Sequence, residues 1–462
     1  MNSRSVLLTM KPRLASVGLA CWGVGIGIVP SEASHRFAKA RELIVADVES
    51  GAVPAFAVAV ARGDEILWEE AFGSATTDTL FSLASVSKPI TATGLMVLVE
   101  RDQVELDRPI NDYLGDTPLV ARVGRAREAT VRRVANHTSG LPLHHHFFPL
   151  GKPPRPPPMK ETIERYGNLV SEPGERFQYS NLGYGVIEHV IERVSKQDFQ
   201  SFMEEAVFRP LGMRNAAVVL DPASEKRPLA TRHDRHGQAI PFYDFDHRGA
   251  SAIYSSVHDL LRFGMFHVRT LDLGPSSILS KRAIREMQKT KARIPGGRHY
   301  GIGWVIYENR WGERTVEHGG GMPGVSASLY LIPDRKIVVV TLASARSELP
   351  KRVTDAVIDT LIRRIDSEYR IGRIDAAYRR IPASASRRVN ARDRKRKNPK
   401  AFVGVWDGAI ETHDGAVPLR LIIERASPVR ARLGVEPEVS LMVTRFDGDR
   451  LSGMMRAPRP NG

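Results

Sequence analysis

Cysteine is all but missing. Cys21 is the only one in 462 residues, which excludes an intrachain disulfide and any zinc site built on several thiolates. Acids are missing from the first thirteen positions, where Arg4, Lys11 and Arg13 are the only charged side chains. Charge of either sign is missing from Leu14 to Val29. That apolar run is shorter than the ~20 residues a membrane-spanning helix needs. Pro30 and the stretch Ser31-Glu32-Ala33-Ser34, rich in small residues, follow it. Basic, apolar, then small is the pattern of a secretory signal. Residues 1–34 are therefore read as a signal peptide cleaved near Ala33 or Ser34, and the protein as periplasmic or extracellular; an uncleaved membrane anchor is the alternative. A lipoprotein signal at Cys21 is disfavoured, because Gly18 stands where leucine is preferred three residues before the cysteine.

Acids are also scarce from 370 to 400, where 12 Lys/Arg meet only Asp375 and Asp393. That segment carries +10 of the chain's +15, leaving only +5 for everything else. The body of the protein is thus not built for a polyanion. The cluster Arg392, Arg394, Lys395, Arg396 and Lys397 suits nucleic acid in charge, but export argues against that partner. A solvated linker is the first reading, and an anionic envelope surface the second. Composition is otherwise ordinary, 42% hydrophobic and 26% charged, which excludes collagen, coiled coil and wholesale disorder. No internal repeat is present.

Residues 35–369 read as one large domain. Apolar residues at helical spacing (Phe37, Leu43, Ile44, Val48) predict a helix over His35–Glu49. Ala55–Ala61 and Ile66–Phe72 predict a hairpin about Arg62-Gly63-Asp64. Residues 85–102 predict an apolar helix with Pro89 in its first turn, where a missing N–H is tolerated. Residues 144–160, with their proline run, predict an irregular surface loop. Gly183–Val194 predicts a helix, Val325–Ile332 and Lys336–Ala343 two strands about Pro333-Asp334-Arg335, and Pro350 to about Tyr369 a last helix. The expected architecture is α/β of the α+β kind: an antiparallel sheet flanked by helices, with an all-helical region inserted. Beyond the 370–400 linker, residues 401–462 alternate in short runs (Val403, Val405; Leu419, Leu421, Ile423; Leu441, Val443) and predict a small all-β module.

The chemistry centres on Ser85-Val86-Ser87-Lys88. Positions i and i+3 share a helix face, so the Ser85 hydroxyl and the Lys88 amine can meet. A serine is a poor nucleophile until a base takes its proton, and a lysine removed from water can serve. Alone the pattern is weak, but the apolar Phe81-Ser82-Leu83-Ala84 before it places the pair on a buried element. Tyr179-Ser180-Asn181 is the second candidate. Of three Tyr-x-Asn copies it alone follows a turn, Glu172-Pro173-Gly174-Glu175, and opens a helix; the others are Tyr166-Gly167-Asn168 and Tyr307-Glu308-Asn309. His318-Gly319-Gly320-Gly321 is the third, preferred to His299-Tyr300-Gly301 and His413-Asp414-Gly415 because it leads into a strand. Its glycines let a ligand approach the backbone.

In this order and spacing the three elements resemble the serine β-lactamase and penicillin-binding protein superfamily, nearer its class C, DD-peptidase and esterase branch. The resemblance covers roughly residues 36–370. It extends to Leu106-Asp107-Arg108-Pro109 with Tyr113-Leu114, Asn136-His137-Thr138-Ser139-Gly140-Leu141-Pro142, Pro210-Leu211-Gly212-Met213, Gly249-Ala250-Ser251 before a Ser255–Phe266 helix, and Tyr300-Gly301-Ile302-Gly303-Trp304, phrases without a catalytic role. It implies a β-lactamase/transpeptidase-like fold and an acyl-enzyme on Ser85. Lys88 would be the base, Tyr179 the proton shuttle, and Asn181 the holder of substrate amide and lysine. His318 would stand where many β-lactamases have lysine, with Gly319 and Gly320 completing the motif. The backbone N–H groups of Ser85 and Gly321 would form the oxyanion hole. A largely neutral histidine offers no permanent cation to a substrate carboxylate, so efficient penicillin hydrolysis is not implied. The expected partner is a small-molecule or peptide substrate, with peptidoglycan as one source. A non-catalytic penicillin-binding sensor is the alternative from another class. No cofactor is implied. No metal is expected at His144-His145-His146 either, since adjacent side chains cannot all face one ion and no carboxylate lies close in sequence.

Overall fold

The structure is a computed structural model. It describes residues 36–365 apart from 219–221, 224, 269–276 and 295, and, further on, 404–412, 415–426, 429–433, 439–447 and 450–455. The expected signal segment and basic linker lie outside the described residues. Among the described residues no helix is long and apolar enough to cross a membrane.

Helix α1 (Ala38–Glu49) leads into the hairpin β1 (Ala55–Arg62) and β2 (Glu65–Gly73). Helix α2 (Ser87–Glu100), helix α3 (Asn181–Ser195) and helix α4 (Val257–His267) belong to the helical middle. The chain then returns as β3 (Ala292–Ile294), β4 (Arg298–Tyr300), β5 (Val305–Arg310), β6 (Glu313–Met322), β7 (Val325–Ile332) and β8 (Ile337–Ala343), and closes with α5 (Leu349–Ile365). These strands form one eight-stranded sheet in the order β3-β4-β5-β6-β7-β8-β1-β2. Every pairing in it is antiparallel. The N-terminal hairpin is therefore laid against the last strand, with Phe56 opposite Ala343 and Arg62 opposite Ile337.

Period-two alternation decides which face meets which layer. On β1, Phe56, Val58 and Val60 join the core shared with α1 and α5. Ala55, Ala57, Ala59 and Ala61 face the other way, into the larger core that holds α2, α4 and the helical middle. Gly264 lets α4 lie close to β8: a Cβ there would stand 2.4 Å from Val338 Cγ1. Both sheet faces are thus covered and the helical region lies on one of them.

The expected α+β architecture is present. One local expectation is revised. Residues 144–160 are not wholly irregular: Phe148–Pro149 pairs antiparallel with Tyr243–Asp244, and a helix begins at Met159. Strands β3, β4 and β5 had no clear alternating signature, being short and partly exposed. The C-terminal strands β9 (Gly404–Thr412), β10 (Gly415–Ala426), β11 (Val429–Leu433), β12 (Val439–Asp447) and β13 (Arg450–Met455) form a five-stranded antiparallel meander of their own.

Candidate active site

After the short strand Phe81–Ser82 the chain makes a single 3-10 turn, Ala84–Val86, and enters α2. Ala84 takes φ +45°, a region that side chains with a Cβ rarely enter and that is held only by its surroundings. The strained residue directly precedes Ser85. One helical turn on, Lys88 is fully buried, and its Nζ lies 3.1 Å from Ser85 Oγ. The neighbouring hydroxyls are otherwise employed: Ser87 Oγ accepts from the Ile253 N–H at 3.2 Å, and Ser180 Oγ accepts from the Gly183 N–H at 2.9 Å as the cap of α3.

The other two contacts of Lys88 Nζ are Asn181 Oδ1 at 2.8 Å and the Ala250 carbonyl at 3.1 Å. No acid pairs with it among the described residues, and burial holds the amine well below its usual range. A neutral amine has two N–H groups and one lone pair. The Ala250 carbonyl can only accept. Asn181 Oδ1 is the acceptor end of its amide, because Nδ2 donates to the His144 carbonyl at 2.9 Å. With the amine in its neutral form, both N–H groups then have acceptors and the lone pair falls to the Ser85 hydroxyl. Such an amine can take the serine proton.

Capping by Ser180 fixes the start of α3, and the Asn181 N–H donates to the Leu143 carbonyl at 2.7 Å. Tyr179 stands just before the cap, partly exposed, and is hydrogen-bonded to Ser85. Burial pushes its phenol above the usual range, more than the bond to Ser85 lowers it, so it stays protonated. Its ring is held by His137, 4.4 Å away between centroids. His137 is fully buried, takes φ +63°, and accepts from the Ser180 N–H at 3.1 Å.

The third element is β6. Its pairing with β5 stops at Glu317, so from His318 onward one edge has no strand partner and lies against the Ser85 turn. A Cβ on Gly320 would stand 2.1 Å from the Leu83 carbonyl oxygen; only glycine permits that approach. Gly319 and Gly321 lie on the opposite, exposed face. His318 is buried and occupied at both nitrogens: Nδ1 is 2.9 Å from the Gly319 carbonyl and Nε2 is 2.8 Å from the Tyr300 hydroxyl. A carbonyl only accepts, so Nδ1 carries the hydrogen and Nε2 receives the tyrosine's. Burial above all pushes the imidazole down to about 3, against the opposing effect of the Gly319 carbonyl. The exposed cation here is instead Arg346, whose guanidinium occupies the space where a Cβ on Gly321 would go, with one terminal nitrogen 1.8 Å from that position.

The three elements singled out for chemistry thus meet around the Ser85 turn: Ser85, Lys88, Tyr179, Asn181, His318, Gly319, Gly320 and Gly321. Of the discarded copies, Tyr166 lies beside His144, 4.8 Å between rings, rather than at Ser85; His413 lies outside the described residues. Four contributors were not anticipated. His137 and Tyr300 sat in phrases taken as structural, Ala250 acts only through its carbonyl, and Arg346 carries no motif.

Comparisons with known proteins bear on the family and the fold. The family model described as Beta-lactamase matches residues 40–363. The protein is 27% identical to penicillin-binding protein 4* of Bacillus subtilis, over 63% of this chain and 68% of that one. It is 26% identical to the D-alanyl-D-alanine-carboxypeptidase/endopeptidase AmpH of Escherichia coli, over 61% and 75%. Among solved structures, the octameric penicillin-binding protein homologue from Pyrococcus abyssi superposes with TM-score 0.61 at 20% identity, covering 91% of this chain and 98% of that one. A class C β-lactamase superposes with TM-score 0.62 at 16% identity, covering 72% and 98%. The family match spans the whole eight-stranded sheet and the helical middle, so this chain belongs to the Beta-lactamase family of serine hydrolases.

Proposed function

We propose that this protein is an exported hydrolase that forms an acyl-enzyme on Ser85. Ser85 Oγ attacks the carbonyl carbon of an amide, lactam or ester while its proton passes to the Lys88 amine. The backbone N–H groups of Ser85 and Gly321 hold the developing oxyanion. As the bond to the leaving group breaks, Tyr179 relays a proton to it. Water then attacks the acyl carbon and releases the acid and free Ser85. The observation that carries this reading is the buried Lys88 amine 3.1 Å from Ser85 Oγ, whose two other hydrogen-bond partners, Asn181 Oδ1 and the Ala250 carbonyl, are both acceptors. The relative named for carboxypeptidase and endopeptidase activity supports a peptide amide, and hence peptidoglycan peptides as the substrate class. In that case the cation for a substrate carboxylate is Arg346, since His318 is neutral and occupied. Residues 370–400 are read as a solvated spacer and 401–462 as a separate module.

Cleavage of neutral esters is the second reading, and the neutrality of His318 favours it. The test is covalent labelling with a penicillin and with an activated ester, followed by intact mass and peptide mapping. The adduct is expected on Ser85, absent from Ser85→Ala, and slowed by roughly 10²–10⁴ in Lys88→Ala, the usual worth of a positioned base. An adduct on Ser87, or full hydrolysis by Ser85→Ala, defeats the mechanism. A penicillin adduct that persists without turnover of any ester or peptide would make the protein a sensor.

A further inference from the structure

The histidine run lies beside the site, its His144 carbonyl accepting from Asn181 Nδ2, and its surroundings differ from what the sequence suggests. Phe148 pairs with Asp244 and Pro149 with Tyr243 in antiparallel register. Continued by two residues, that register sets His146 opposite Asp246. Two positions away, His144 takes φ +53°, and its ring turns to the same side as His146, 4.6 Å between centroids. His145 packs instead toward Phe147, 5.0 Å away. The carboxylate that the run lacks nearby in sequence is supplied by a segment one hundred residues further on.

His144 Nε2 is 2.8 Å from Asp246 Oδ2 and 3.0 Å from Oδ1. His146 Nδ1 is 3.5 Å from Oδ2. One donor atom from each of the three residues lies within 4.8 Å of the others. Donor atoms of a tetrahedral site with bonds of about 2.0–2.1 Å stand roughly 3.3 Å apart, so the set closes on an ion with sub-ångström to ångström adjustments of side chains. A second layer is also present. His247 Nδ1 holds the other Asp246 oxygen at 2.8 Å, and such a partner orients a ligand carboxylate. Access comes through His146, whose side chain is 44% exposed, while those of His144 and Asp246 are nearly or fully buried.

We propose that His144, His146 and Asp246 form a binding site for a divalent transition metal of the Zn²⁺ class, with a fourth position open to solvent. Two imidazoles and a carboxylate are a donor set that suits zinc and disfavours calcium or magnesium. The ion would pin the segment whose His144 carbonyl receives the Asn181 amide, and so would brace the partner of Lys88. The site does not depend on the hydrolase reading.

The test uses the full chain, purified without a polyhistidine tag, stripped with chelator and titrated with Zn²⁺. One equivalent is expected to bind, and Co²⁺ in its place should show the intense visible bands of a tetrahedral centre. His146→Ala removes a half-exposed ligand with little risk to folding and should weaken Zn²⁺ binding at least tenfold. His145→Ala should leave it unchanged. Zn²⁺ should raise the melting temperature of the unaltered protein and not that of His146→Ala. Absence of stoichiometric binding, or equal affinity in His146→Ala, overturns the proposal and leaves three histidines hydrogen-bonded to a carboxylate.

Discussion

Alanine substitutions along Gly319-Gly320-Gly321 meet three different surroundings, and Gly320→Ala tests the geometry of the nucleophile most directly. The new methyl would stand 2.1 Å from the Leu83 carbonyl oxygen, where ordinary contact begins at 3.4 Å. The difference, 3.4 minus 2.1, is 1.3 Å. Strand β6 cannot absorb it readily, because β7 pairs it residue by residue from Val316 to Met322. The turn that carries Leu83, Ala84 and Ser85 must yield. A shift of about 1 Å at a reacting group costs on the order of 10²-fold in rate, or about 2.7 kcal/mol of transition-state stabilisation. Overpacking should also cost about 1–3 kcal/mol of stability. Gly319→Ala meets nothing within 4 Å, and Gly321→Ala meets only the movable end of Arg346; both should melt like the unaltered protein. The assay is single-turnover acylation by an activated ester, scaled to folded protein by circular dichroism. If folded Gly320→Ala acylates at the original rate, the Ser85 turn is not held against β6 as described.

Further outcomes follow from other contacts. Arg346→Ala should raise KM at least fivefold for substrates with a carboxylate beside the scissile bond and leave neutral esters unchanged; equal effects on both would remove Arg346 from the substrate site. Because His318 is held neutral with a pKa of about 3, no limb of the kcat/KM profile between pH 5 and 8 should move in His318→Gln; a shifted limb would show the imidazole titrating during catalysis. Glu188 is buried against the Gly249 N–H, 2.7 Å away, and burial raises its carboxyl to about 8 from 4.5. Both states hold the proton below about 4.5, only the folded state holds it up to about 8, and neither does above. Stability should therefore fall as pH rises through that window, by about 1.4 kcal/mol per pH unit from this group. Glu188→Gln should lack this component and melt higher than the unaltered protein at pH 8; parallel melting profiles would refute it.

The sequence was most informative where function depends on residues a few positions apart. Ser85 and Lys88 are joined by a helix turn, Tyr179 and Asn181 by a capped helix start, and the three glycines by one strand. Continuous apolar runs gave away β1, β7 and β8, because both faces of those strands are buried. The sequence was silent on β3, β4 and β5, which are short and polar on one side. What it could not carry was meaning that exists only across the chain. His137 is recognisable as functional only once Tyr179 is seen on its ring, and Tyr300 only once its hydroxyl is seen on His318. Ala250 contributes a carbonyl, which every residue has. The histidine run makes the same point from the opposite side. The expectation of no metal there rested on two rules: adjacent side chains cannot all face one ion, and no carboxylate lies close in sequence. The two-residue bridge Phe148–Pro149 to Tyr243–Asp244 replaces that distance with register, and register is what puts Asp246 between His144 and His146.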